Sequence, residues 1–168
     1  MGVGLSYNMY IMEQFFIDNS DIILRLVVAV VLGMFIGAER FLVHKEAGMK
    51  THALVSLGSA LFIVISELMV AKYANVGGFD PMRMASQIVV GIGFLGAGSI
   101  ILQGTHLKGL TTAGGLWVTA GIGMACGFGL YGLSVISTIL VLFILIVVYV
   151  LEKPLQKMSE NKDRLEKD

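Results

Sequence analysis

Between Tyr131 and Leu151 the sequence carries no charged residue, and four earlier stretches come close to the same condition. A helix needs about 20 mostly apolar residues to cross the hydrocarbon core of a bilayer. Five segments approach that length: residues 22–38, 52–71, 84–102, 112–130 and 131–151. Backbone amides and carbonyls cannot be left open to lipid, so continuous apolar runs of this size are read as helices. A transmembrane barrel would instead show short alternating segments, and strands are not expected. The predicted fold is all-α, a polytopic membrane bundle of about five transmembrane helices. Residues 1–151 form the transmembrane domain, and residues 152–168 form a short charged tail on the cytoplasmic side.

Composition agrees. Of 168 residues, 56% are hydrophobic and only 14% charged, and mean hydropathy is +0.83. A soluble domain carries about 25% charge, so too few charges remain here to coat a water-facing surface. The net charge of zero offers no electrostatic attraction for a nucleic acid. A single cysteine, Cys126, excludes an internal disulfide and a cysteine-based metal cluster. The first 19 residues contain acids but no Lys or Arg. They lack the basic region of a cleaved signal peptide, so the first apolar segment is expected to be retained.

Orientation follows from Lys and Arg in the short loops. With five crossings, one side collects Arg40, Lys45, Lys50, Lys108, Lys153, Lys157, Lys162, Arg164 and Lys167, and the other only Lys72 and Arg83. The C-terminus is therefore expected in the cytoplasm and the N-terminus outside. Helix starts are expected at Ser20-Asp21, at Thr51, at Asp80-Pro81 and at Thr111 or Thr112, where side chains of capping type precede or open the runs. Gly104 stands where a left-handed residue closing the third helix is expected. The fourth and fifth segments meet near Gly127–Gly132 and need a tight turn.

Glycine is the other conspicuous feature, with 21 in the chain. Gly33 with Gly37, and Gly123 with Gly127, have the spacing that lets helices approach closely in lipid. The third segment adds Gly91, Gly93, Gly96 and Gly98. Read as a dinucleotide fingerprint, Gly91, Gly93 and Gly96 fail, because no strand precedes them and no acid follows at ribose distance. They are expected to pack helices or to bare backbone along a substrate path. A spare small-residue face would serve a homodimer, the commonest oligomer.

Polar groups at membrane depth are costly and mark candidate functional residues. Glu39 and Arg40 end the first helix, either as an interfacial pair or with Glu39 facing the bundle toward a cation or partner loop. Asp80, Arg83 and Gln87, at i, i+3 and i+7, share one helix face. They form a cap with an ion pair, or an ion-attracting mouth. Thr111 and Thr112 would satisfy backbone at a helix start or touch a substrate. Oxygen donors suit Mg²⁺, and Asp80 and Glu39 are the candidate metal ligands. Glu67 is a further acid within the second segment. Arg25 is expected to pair with Asp21 one turn earlier and to snorkel. His44, His52 and His106 fall in or beside loops and lack a partner at i+4, so zinc is a poor fit. Trp117 and Cys126 read as packing residues. No nucleophile elbow, phosphate loop or HExxH occurs, and the chain is not expected to be an enzyme.

The run from Asp80 through Gln87 to Gly98 resembles the signature of the MgtC/SapB family. So do Lys108-Gly109-Leu110-Thr111-Thr112-Ala113, Leu116 to Ala120, and Gly123 to Gly127. Upstream, Gly37-Ala38-Glu39-Arg40 and Ala47 to His52 match as well. The resemblance implies a bacterial inner-membrane protein with an external N-terminus. It also implies links to growth at low Mg²⁺, to survival inside host cells and virulence, and to inhibition of the membrane ATP synthase. The family's founding member continues into a soluble C-terminal domain, and roles that need such a domain are not expected here. Gly114-Gly115 stands where Ala-Thr is usual, and Lys50 where Arg is frequent. Two functions follow as expectations. One is Mg²⁺ or cation homeostasis, by transport or ion binding, with Mg²⁺ as the implied ion. The other is a regulatory module that binds another membrane protein such as ATP synthase, through an exposed face such as Gly33/Gly37.

Overall fold

The computed structural model describes residue 17, residues 19–73 and residues 80–165, the stretch 152–165 as backbone alone. Most of the N-terminal region read above for a signal peptide, and the side chains of the tail, lie outside the described residues. Among the described residues five helices form: α1 (Ser20–Leu42), α2 (Met49–Lys72), α3 (Pro81–Gly98), α4 (Leu110–Gly127) and α5 (Tyr131–Leu165). The all-α expectation holds, and each predicted span has its helix. The backbone of 152–165 continues α5 as helix.

Among the described residues three helices, α1, α2 and the Tyr131–Leu151 part of α5, are long and apolar enough to cross a membrane. Their outward faces carry large apolar side chains in quantity, among them Phe35, Leu54, Phe62 and Phe143. A surface of that kind belongs in lipid. Helices α3 and α4 have 18 residues each. At 1.5 Å per residue they reach about 27 Å, just short of the hydrocarbon core.

One correction concerns strands. A two-stranded antiparallel hairpin, β1 (Ile101–Gln103) with β2 (His106–Lys108), joins α3 to α4, pairing Ile101 with Lys108 and Gln103 with His106. Every residue of it is exposed, and it lies between helices rather than within a span, so the rule against open sheet edges in lipid does not reach it. Gly104 is left-handed (φ 63°), but in the tip of this hairpin; α3 has already ended at Gly98 with Ser99 right-handed. The reading of residues 84–102 as one helix therefore ran into the hairpin.

Helix starts follow the sequence only in part. Asp80 caps α3 as expected, its Oδ1 accepting the Met82 amide at 2.9 Å, with Pro81 opening the helix. Helix α1 begins after Asn19 rather than at a Ser20 or Asp21 cap. Helix α2 begins after Gly48, which places Thr51 inside the first turn. Helix α4 begins after left-handed Gly109, not at Thr111 or Thr112. The predicted tight turn between α4 and α5 is present, with Gly129 left-handed at φ 71°.

Helix α4 is central and touches all four others. The apolar core joins Ala29, Leu32 and Ile36 of α1, Ala60 of α2, and Ile122 and Cys126 of α4, with Val141 and Leu145 of α5 against it. Glycines close the seams. A Cβ at Gly33 would stand 2.6 Å from the His52 carbonyl oxygen, and one at Gly37 would stand 2.5 Å from the Met49 Cα. A Cβ at Gly123 would overlap the Ser56 carbonyl oxygen, and one at Gly127 would come within 2.7 Å of the Ile63 Cβ. These contacts run α2 antiparallel to α1 and parallel to α4. The Gly33/Gly37 face expected to be free for a partner is thus consumed inside the chain.

Candidate functional site

Two polar centres sit at opposite ends of the α1–α2–α4 core. At the first end, where α1 closes and α2 and α4 open, Glu39 and Arg40 are both buried, at 8% and 3% exposure. Their side chains are joined by a hydrogen-bonded ion pair between Arg40 Nε and Glu39 Oε2. The two residues pair with each other, as in the first reading, and Glu39 is turned into the bundle, as in the second. Beside it is His52, fully buried in the first turn of α2 and within electrostatic reach of both charges. Its ring bonds through Nδ1 to the Gly48 carbonyl oxygen at 3.0 Å. A carbonyl only accepts, so Nδ1 carries the proton and Nε2 presents a lone pair.

That lone pair has no partner among the described residues, and neither has the hydroxyl of Ser56 one turn later. Leaving such groups unsatisfied in the interior costs about 1–3 kcal/mol each. His52 Nε2 faces Gly115, where an added Cβ would stand at 3.5 Å. The Ala-Thr expected at 114–115 would bring side-chain atoms into that space. Thr112 is buried at the same end, while Thr111 is exposed. By contrast, the Thr119 hydroxyl is satisfied within its own helix, donating to the Gly115 carbonyl at 2.7 Å.

His52 and Ser56 were not among the expected site residues. The polarity of His52 and the charge of Lys50 make the helix start look like a loop. The i, i+4 spacing of His52 and Ser56 on one face, opposite a glycine helix, was the available signal.

At the opposite end, Arg25 does pair with Asp21 (2.8 Å), and it also reaches Glu67 at 2.5 Å and donates to the Gly127 carbonyl at 2.8 Å. One guanidinium thereby ties α1, α2 and the end of α4. The Glu67 partner is 42 residues away in sequence, which no local pattern reveals.

Asp80, Arg83 and Gln87, at the cap and in the first turns of α3, are all three exposed. Asp80 spends one oxygen on its cap, and among the described residues no ion pair joins it to Arg83. The structure separates them from Glu39 by the length of the bundle, so Asp80 and Glu39 do not share a cation. Gln87 lines an apolar groove of about 480 Å³ between α2 and α3, with Leu54, Phe62 and Gly91. Gly96 meets Ala113 at ordinary contact distance, but Gly91, Gly93 and Gly98, expected as packing residues, have nothing within 4 Å of an added Cβ.

Known proteins show the same arrangement of sequence. The sequence model of the MgtC family matches residues 26–154. The Escherichia coli K12 protein YhiD, whose name proposes magnesium transport, is 41% identical over 129 residues, covering 76% of this chain and 60% of that protein. MgtC of Salmonella typhimurium LT2 is 45% identical over 120 residues, 71% of this chain and 49% of its own length. MgtC of Brucella abortus is 42% identical over 132 residues, 79% and 51%. The chain thus spans about half to three fifths of these relatives. No solved structure matches it.

Proposed function

The chain belongs to the MgtC family, and from that premise we propose that it acts without catalysis, in Mg²⁺ or general cation homeostasis at the bacterial inner membrane. In this reading the N-terminus is outside, the C-terminus is cytoplasmic, and the Glu39 centre lies near the cytoplasmic surface, the side of Arg40, Lys45, Lys50 and Lys108. The observation that carries it is the buried Glu39–Arg40 pair next to two polar atoms without partners, His52 Nε2 and Ser56 Oγ. Ionic groups at membrane depth persist where they are used.

The chemistry is competition. Glu39 offers carboxylate oxygens, the donor type Mg²⁺ prefers, and Arg40 already occupies one of them. A divalent cation and the Arg40 guanidinium then exchange places on Glu39. His52 Nε2 and the Ser56 hydroxyl hold water around the ion, which dehydrates reluctantly. Reconstituted in liposomes with an internal Mg²⁺ indicator, the chain is expected to show flux or saturable Mg²⁺ binding. Both should disappear in Glu39→Gln and persist in Asp80→Asn. Equal behaviour of wild type and Glu39→Gln would sink this reading.

A second reading has its own support: the open glycines of α3 beside the apolar groove. A regulatory module would dock another membrane protein, such as ATP synthase, or a second copy of itself on α3 rather than on Gly33/Gly37. Gly91→Leu with Gly93→Leu should then abolish copurification of the partner while leaving the bundle folded. Unchanged copurification would reject it.

A further inference from the structure

We propose that the recess between the 43–48 loop and the start of α4 binds a phosphate group. The recess, about 530 Å³, is lined by His44, Lys45 and Glu46 on one side and by Lys108, Gly109, Thr111 and Thr112 on the other. Two lysines and a histidine face a single carboxylate, so its balance is cationic.

The start of α4 makes the recess specific. Every helix leaves its first amides without internal acceptors, and a side chain at the N-cap ordinarily satisfies one of them. Here the cap is Gly109, at φ 90°, and an added Cβ would overlap the Ser99 carbonyl oxygen. No capping side chain fits that position. The first intrahelical bond is Ala113 N–H to the Gly109 carbonyl, at 2.8 Å. The amides of Leu110, Thr111 and Thr112 therefore point out of the helix end, where the macrodipole favours an anion.

An independent observation points the same way. Thr112 is 3% exposed, and its hydroxyl makes no hydrogen bond among the described residues, although it borders the recess. The side chain is packed in, yet its hydroxyl stays accessible and a partner can reach it from the recess; polar side chains this buried are normally bonded. A phosphate oxygen seated on the α4 amides supplies the missing acceptor. Lys45 and Lys108 supply the countercharge, and Glu46 limits the site to one strongly charged group. Exposed Leu107 and Leu110 adjoin the lysines, which suits a headgroup at the membrane interface as well as free phosphate.

The test uses the full chain in nanodiscs. With phosphatidylcholine alone, inorganic phosphate is added. In a second arm, phosphatidylglycerol replaces part of the phosphatidylcholine and no phosphate is added. Hydrogen exchange at the amides of residues 110–112 is read in both, with native mass spectrometry for retained lipid. Protection by phosphatidylglycerol identifies a lipid headgroup, and protection by inorganic phosphate identifies a soluble ligand. In either case Lys45→Gln with Lys108→Gln is expected to weaken protection at least tenfold, and Thr112→Val several-fold, without a change in melting temperature. Added salt should weaken it too. No protection in either arm, or protection indifferent to the lysine pair, would overturn the proposal. Growth at low Mg²⁺ and the behaviour of Glu39→Gln are not involved, so this result is separable from the cation reading.

Discussion

The α2–α4 seam and the α3 helix are both rich in glycine, yet they use it for opposite ends. In the seam, Gly123 and Gly127 bring the α4 backbone onto Ser56, Ala60 and Ile63, and no larger residue fits. On α3, Gly91, Gly93 and Gly98 look out onto open space. In lipid there is no hydrophobic gain from joining two apolar helices, so close backbone contact supplies the attraction. The seam has that contact and α3 largely lacks it. The lesson is that glycine spacing reports the capacity for close approach, while only the fold decides whether the approach is made.

Four substitutions test this contrast. The largest effect is expected in the packed region, at its buried ion pair. Arg40→Ala leaves the Glu39 charge inside without its partner and should cost about 3–5 kcal/mol. Arg83→Ala, on exposed α3, should change stability by no more than about 0.5 kcal/mol. Unfolding of both variants in detergent micelles measures the difference; similar losses would mean that α3 is as tightly built in as the core.

Next comes Gly123→Ala, which forces α2 and α4 apart and should cost about 1–3 kcal/mol or more. Circular dichroism melts would show it as an early, broadened transition. An unshifted melt would contradict the seam as described. The smallest effect is expected for Gly93→Ala. Nothing stands in the way of the new methyl group, and alanine favours helix by up to about 1 kcal/mol. The melt should stay or rise slightly, and a marked fall would reveal that α3 is covered by something in the membrane.

Much of this architecture was legible in the residues. Long apolar runs forced helices, the Asp80-Pro81 pair marked the start of α3, and the Gly33/Gly37 and Gly123/Gly127 spacings marked close approach. The hairpin was not legible. Ile100, Ile101 and Leu102 are as apolar as the helix before them, and hydropathy has no means of registering a change from helical to extended backbone. The candidate site was half legible: Glu39, Arg40 and Thr112 were expected and lie at one end of the core. His52 was not, because a polar side chain near a span boundary reads as solvated until a neighbouring helix is known to cover it. The free face was misassigned from Gly33/Gly37, since one spacing serves contacts within a chain and between chains alike.

The parallel pairing of α2 with α4 has a consequence for biogenesis. Parallel neighbours require an intervening return crossing, so α2 cannot meet its partner when it first leaves the ribosome. The stretch between Ile63 and Gly127 takes roughly 3–13 s to translate at about 5–20 residues per second. Throughout that interval Ser56, Ala60 and Ile63 wait in a nascent helical hairpin with one flank vacant. The insertion machinery, or lipid alone, must shelter that flank until α4 arrives, and a translational pause placed between the two would lengthen its exposure.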